Sequence, residues 1–94
     1  MDVNEIIIEP VLSEKTNGMR DQNKYVFRVD GRANKIEIMQ AVREIFSVHP
    51  LSCRIINVKR KPKRLRYQKG YTSQWKKAVI TVASGEKIDI FEGA

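Results

Sequence analysis

The chain has 94 residues, enough for one domain and too few for two. Its 41% hydrophobic and 31% charged residues fit a globular domain of somewhat raised charge, and a single cysteine excludes an internal disulfide, which fits a cytosolic protein. The formal net charge is +7, but no Asp or Glu stands between Glu44 and Glu86, an interval holding ten of the 18 basic residues, while the rest of the chain is net acidic. Such a separation builds a local positive field suited to a polyanion, where a merely solvated face would mix its signs.

No apolar run approaches the roughly 18 residues of a membrane-spanning helix, and MDVNEIIIEP has neither a basic leader nor a long apolar stretch. Neither a transmembrane segment nor a secretory signal is expected. Ile6-Ile7-Ile8 reads as an extended lead-in or edge strand, because the residue before Pro10 disfavours helix. Ser13 then caps a short helix with Glu14 in its first turn, where the helix dipole favours negative charge. Gly18 and Asn23 should keep that helix short.

In KYVFRVD, Tyr25, Phe27 and Val29 alternate with Lys24, Val26, Arg28 and Asp30, the period of a strand with one buried face. Asn34 with Glu37 forms a capping-box pattern. Ile38, Ala41, Val42, Ile45 and Phe46 then mark the apolar face of an amphipathic helix that stops before His49-Pro50. Cys53 to about Lys61 is extended, with Ile55, Ile56 and Val58 apolar. Trp75 to Ala83 is extended again, with Ala78, Ile80 and Val82 on one side. After a turn at Ser84-Gly85, Ile88 and Ile90 point to a last short strand. The order predicts an α+β fold: a mostly antiparallel four-stranded sheet with helices packed on one face. The strands on either side of the long helix are expected to be parallel neighbours in a right-handed crossover.

Residues 62–74 join two strands by thirteen residues, where hairpin loops usually have two to five. The whole of 59–77 is expected to be an extended basic hairpin. At about 3.3 Å per residue its tip can stand roughly 20 Å from the body. Lys59, Arg60, Lys61, Lys63, Arg64, Arg66, Lys69, Lys76 and Lys77 are candidate phosphate contacts, with Lys15 and Arg54 as further ones. Tyr67, Tyr71 and Trp75 can stack on splayed bases, and Gly70 permits a turn or a close backbone approach. For Trp75, anchoring the arm to the body is the competing role.

Other chemistries find little support. His49 has no second ligand at metal spacing, Cys53 reads as a small buried hydrophobe, and Glu9 and Glu14 are explained by solvation and capping. No nucleophile set or phosphate-cradling Gly-rich loop is present, so no catalysis and no cofactor are expected. Further readings of the same residues are a free-standing RNA-binding module of recognition-motif type using Tyr25 and Phe27, a polybasic membrane-surface protein, and a nuclease.

Four segments together carry a resemblance: EPVLSEKT (9–16), NKIEIMQAVREIF (34–46), INVKRKPKR (56–64) and WKKAVITVASGEKIDIFEG (75–93). In order and spacing they resemble the bacterial large-subunit ribosomal protein twenty-three family over almost the whole chain. Arg60 stands where the family often has Gly, and Gln74 where it often has an acidic residue. The resemblance implies binding to large-subunit rRNA near the exit of the nascent-chain tunnel, with the basic hairpin running into RNA. It further implies neighbouring large-subunit proteins as partners, no small-molecule substrate, and a cytoplasmic location on the subunit. Finally, it implies a docking surface for trigger factor and the signal recognition particle, centred on Ser13 and Glu14.

Overall fold

The computed structural model describes residues 2–59 and 74–88, together with the backbone of Pro62–Arg64 and Lys69–Tyr71. Helix α1 (Val3–Ile6) opens the fold ahead of the expected edge strand and takes only Ile6 from it. Asp2 starts it by accepting a hydrogen bond from the Asn4 backbone N–H at 3.1 Å. Ile6 is buried at its end, and the chain then turns into edge strand β1 (Ile7–Pro10). Pro10 is tolerated at the end of an edge strand, where the missing donor interrupts no interior ladder.

Helix α2 (Glu14–Met19) begins at Ser13 as expected. The Ser13 Oγ accepts from the Thr16 N–H and the Thr16 Oγ1 accepts from the Ser13 N–H. Gly18 does not end it; a 3-10 turn (Arg20–Gln22) follows, closed by Asn23 at φ 62°. Strand β2 (Lys24–Val29) leads to α3 (Lys35–Phe46), whose capping box joins Asn34 and Glu37 through bonds of 2.8 and 3.1 Å. Ser47 ends α3 in the left-handed region at φ 55°, its N–H bonded to the Arg43 carbonyl.

Strand β3 (Pro50–Val58) and strand β6 (Trp75–Val82) complete the main sheet; β4 (Pro62–Arg64) and β5 (Lys69–Tyr71) form a separate antiparallel pair. The main sheet has the order β1-β2-β6-β3, with every pair antiparallel. This corrects one expectation. β2 and β3 run parallel, but β6 lies between them and pairs with both, so they are not neighbours. Tyr25 faces Ile80 across one side of β6, and Cys53 faces Ile80 across the other. Ile88 packs into the core without belonging to a strand, and Ile90 lies outside the described residues.

The core lies between the sheet and the helices α1 and α3. Phe27, Val29, Ala78, Ile80 and Val82 are fully buried against Ile38, Ala41 and Val42. Each large apolar side chain removed from water this way contributes about 1.5–3 kcal/mol. The Phe27 and Phe46 rings stack with centroids 5.3 Å apart. Ile45, placed on this face by the helical period, is instead 40% exposed. It lies beside Ile8 and Pro10 at the β1 edge, where the sheet ends before covering it. Helices α1 and α3 share one face of the sheet, whereas α2 flanks the opposite one, beside Val26. That is why Val26 is buried although its neighbours in the alternation, Tyr25 and Phe27, point the other way.

Candidate nucleic-acid interface

Strand geometry sends alternate side chains to opposite faces. With Tyr25, Phe27, Ala78, Ile80 and Cys53 in the core, the register puts Lys24, Val26 and Arg28 of β2 on the other face. Trp75, Lys77, Val79 and Thr81 of β6 join them, as do Ser52, Arg54 and Ile56 of β3. This second face interleaves aliphatic and cationic side chains, with Val26, Val79 and Arg54 in one row and Arg28, Lys77 and Ile56 in the next. Helix α2 flanks it, and a groove of about 490 Å³ runs between them.

Among the predicted phosphate contacts, Lys15, Arg54 and Lys77 line this groove together, with Lys15 and Arg54 exposed and Lys77 half-buried. Lys24 lines it as well and was not singled out from the sequence; its place in the alternation KYVFRVD was the available signal. Lys59 is exposed just beyond β3. Val58 pairs with Trp75, so the segment 59–74 leaves from and returns to one end of this sheet.

Trp75 is half-buried, and the Arg28 guanidinium stands 5.6 Å from the centre of its ring. Arg28 also reaches Glu9 on β1 at 3.8 Å, an exposed pair of little energetic weight. One ring face of Trp75 is therefore occupied by a cation. Lys76 differs from the other candidates. It points to the core side, where its Nζ donates to the Ala33 carbonyl at 2.6 Å and to the Gly31 carbonyl at 3.4 Å. Its charge is engaged in holding the loop before α3.

Lys63, Arg64, Lys69, Gly70 and Tyr71 belong to β4 and β5, where Lys63 pairs with Gly70, Arg64 with Lys69 and Pro62 with Tyr71. Arg60, Lys61, Arg66 and Tyr67 lie outside the described residues, as does the reach of the hairpin. At the start of α2, next to Lys15, Ser13 and Glu14 are exposed; Ser13 serves the cap and also lines the groove, and Glu14 stands in the first turn.

The recognition-motif alternative fails on burial. Tyr25 is 4% exposed and Phe27 1%, both inside the core, so neither presents a ring to a base. Cys53 is buried, which pushes its thiol up in pKa, away from the reactive thiolate. His49 sits in the loop before β3, its Nδ1 3.0 Å from Glu86 and its backbone N–H donating to the same carboxylate at 2.8 Å. These bonds hold the Glu86 carboxyl below the usual carboxylate range. Among the described residues, no three His, Cys, Asp or Glu side chains are grouped to hold a metal ion, and no helix is long and apolar enough to cross a membrane.

Comparison with known proteins agrees with the segments singled out above. A family profile described as Ribosomal protein L23 matches residues 5–90. The large ribosomal subunit protein uL23 of Treponema denticola is 53% identical over 94 residues, all of both chains. That of Treponema pallidum (strain Nichols) is 48% identical over the same full span. The Borreliella burgdorferi (strain B31) protein of that name is 46% identical, covering 97% of this chain and 100% of its own. With this fold, this charge distribution and this match along nearly its entire length, the chain belongs to the ribosomal protein L23 family.

Proposed function

We propose that this chain is a single structural domain of the large ribosomal subunit that binds large-subunit rRNA near the polypeptide exit tunnel. It is a ribosomal protein, not an enzyme, and acts on the ribosome in the cytoplasm. The observation carrying the RNA reading is the grouping of Lys15, Lys24, Arg54 and Lys77 on one face, with no carboxylate among the described groove residues. The acid-free segment 59–74 springs from the end of the same sheet. Cations on a preformed sheet and on an attached arm contact phosphates along two directions at once, and phosphate contacts fix orientation. The arm's residues 62–74 offer little to a protein core, so RNA is the surface they fit. Neighbouring large-subunit proteins complete the surroundings; no cofactor, membrane or small-molecule substrate enters this role.

Glu14, exposed at the α2 start, gives a carboxylate that a basic partner can reach. By family resemblance this is the docking point for trigger factor and the signal recognition particle, with Ser13 fixing the turn that presents it. The test is a salt titration of binding to large-subunit rRNA and to unrelated RNA of equal length. It uses the wild type and a variant with residues 62–74 replaced by a short turn. The expected result is preference for the rRNA, and loss of affinity and salt slope in the folded variant. Each neutralised phosphate accounts for roughly 0.7–0.9 of the log–log slope. Equal binding of both RNAs with an unchanged variant refutes the role.

A further inference from the structure

The groove beside α2 has more in it than phosphate contacts require. Its floor spans three adjacent strands: Val26, paired with Val79, is already covered beside α2, and the half-buried Val79 and Ile56 are the aliphatic surface left open. Met19 of α2 forms part of its wall. Four cations share the groove with that aliphatic surface: Lys15, Lys24, Arg54 paired with Val79, and Lys77 paired with Ile56. Ser52 and Thr81, cross-strand partners, add hydroxyls at one end. Its volume of about 490 Å³ falls in the range of small-ligand sites, about 300–1,000 Å³.

A stacked duplex offers such a groove only phosphates and leaves the floor wet. A phosphate alone does the same, and an acyl chain has no use for four cations. One nucleotide swung out of its stack matches both parts: a flat base for the open aliphatic side chains and a phosphate for the cations. RNA-binding proteins stack splayed bases on aromatic rings or Arg guanidinium planes, and enzymes that extrude a base hold it between aromatic or apolar side chains. We infer that the groove receives one unstacked nucleotide of the bound rRNA, its base on Ile56 and Val79 and its phosphate among the four cations. This rests on the rRNA-binding function proposed above and adds to it a base-sized site on the protein body.

The test compares wild type with Ser52→Ile/Thr81→Ile, which narrows the groove, keeps every charge and leaves a strand-favouring residue at both positions. Folding is checked by thermal melting. Large-subunit rRNA is then probed with base-directed chemical modification, alone and with each protein. The expected result is one unpaired nucleotide shielded by the wild type and reactive with the variant. Affinity should fall about tenfold, the scale of losing one base contact, with no change in salt slope. Affinity within twofold and an unchanged modification pattern overturn the inference and leave rRNA binding standing. If the variant does not fold, wild type is photocrosslinked to 4-thiouridine-substituted rRNA instead. Crosslinks at residues 24–26, 52–56 or 77–81 support the site, and their absence overturns it. Competition by free AMP or UMP at micromolar concentration points to a free nucleotide and also overturns it. If wild type does not prefer the rRNA at all, the proposed function fails first and the inference with it.

Discussion

Lys76 and Lys77 are adjacent in sequence and identical in type, yet the strand sends them to opposite faces. Replacing each with Met keeps the aliphatic stem and removes the charge. Lys76 has one short bond, to the Ala33 carbonyl at 2.6 Å, and a longer, exposed one to Gly31. A hydrogen bond to a charged group contributes about 1.5–3 kcal/mol. Partial exposure of Lys76 argues for the lower end, about 1.5 kcal/mol. In a domain of this size each kcal/mol moves Tm by about 4–8 °C, so Lys76→Met should lower Tm by about 6–12 °C. Its rRNA salt slope should stay at the wild-type value. Lys77→Met lies on the groove face; it should change stability by no more than about 0.5 kcal/mol and reduce the slope by about 0.7–0.9. Circular-dichroism melts and a salt titration measure both. The reasoning is refuted if Lys76→Met melts less than about 2 °C below wild type, or if it lowers the slope as Lys77→Met does.

Asn34→Ala removes the side-chain acceptor that starts α3 and should cost about 1 kcal/mol, read from denaturant midpoints at constant m-value. Phe27→Ala empties a fully buried site beside Phe46 and should cost about 3–5 kcal/mol, enough to leave much of the population unfolded; a cooperative melt near the wild-type Tm would contradict the core assignment. Because Glu86 has a lowered carboxyl pKa when folded, it binds fewer protons there than in the unfolded chain. Its contribution is therefore complete above the ordinary value of 4.5 and is lost as pH falls through the folded value. Glu86→Gln should flatten the fall of Tm with acidification below 4.5, and parallel Tm-against-pH curves would contradict this. Glu14→Ala should leave Tm nearly unchanged while weakening trigger-factor binding to the subunit, measured by co-sedimentation.

The elements legible in the sequence were those determined locally. Helix α3 has its cap three residues from its partner and its apolar face on a single period, and β2 and β6 show the alternation of half-buried strands. Local signals did not reach the remaining features. Helix α1 has four residues, and its only cue is Asp2. Val26 is buried by a helix on the far side of the sheet, a situation that a period of two cannot encode. The place of β6 between β2 and β3 depends on pairings across dozens of residues. Lys76 shows the same gap within the site: its partner carbonyls are 43 and 45 positions away, so a basic run read as uniform contains one cation with a structural task.

The central strand of the sheet is made after both strands it joins. Until Trp75–Val82 has been synthesised, β2 and β3 have no common partner, and the groove face lacks its middle row. Partial chains therefore cannot present the assembled cationic surface. Closing the connection at 59–74 is also insensitive to its length, since doubling such a loop adds only about 0.6 kcal/mol. Evolution can thus lengthen or shorten this connection with little penalty to the body that carries it.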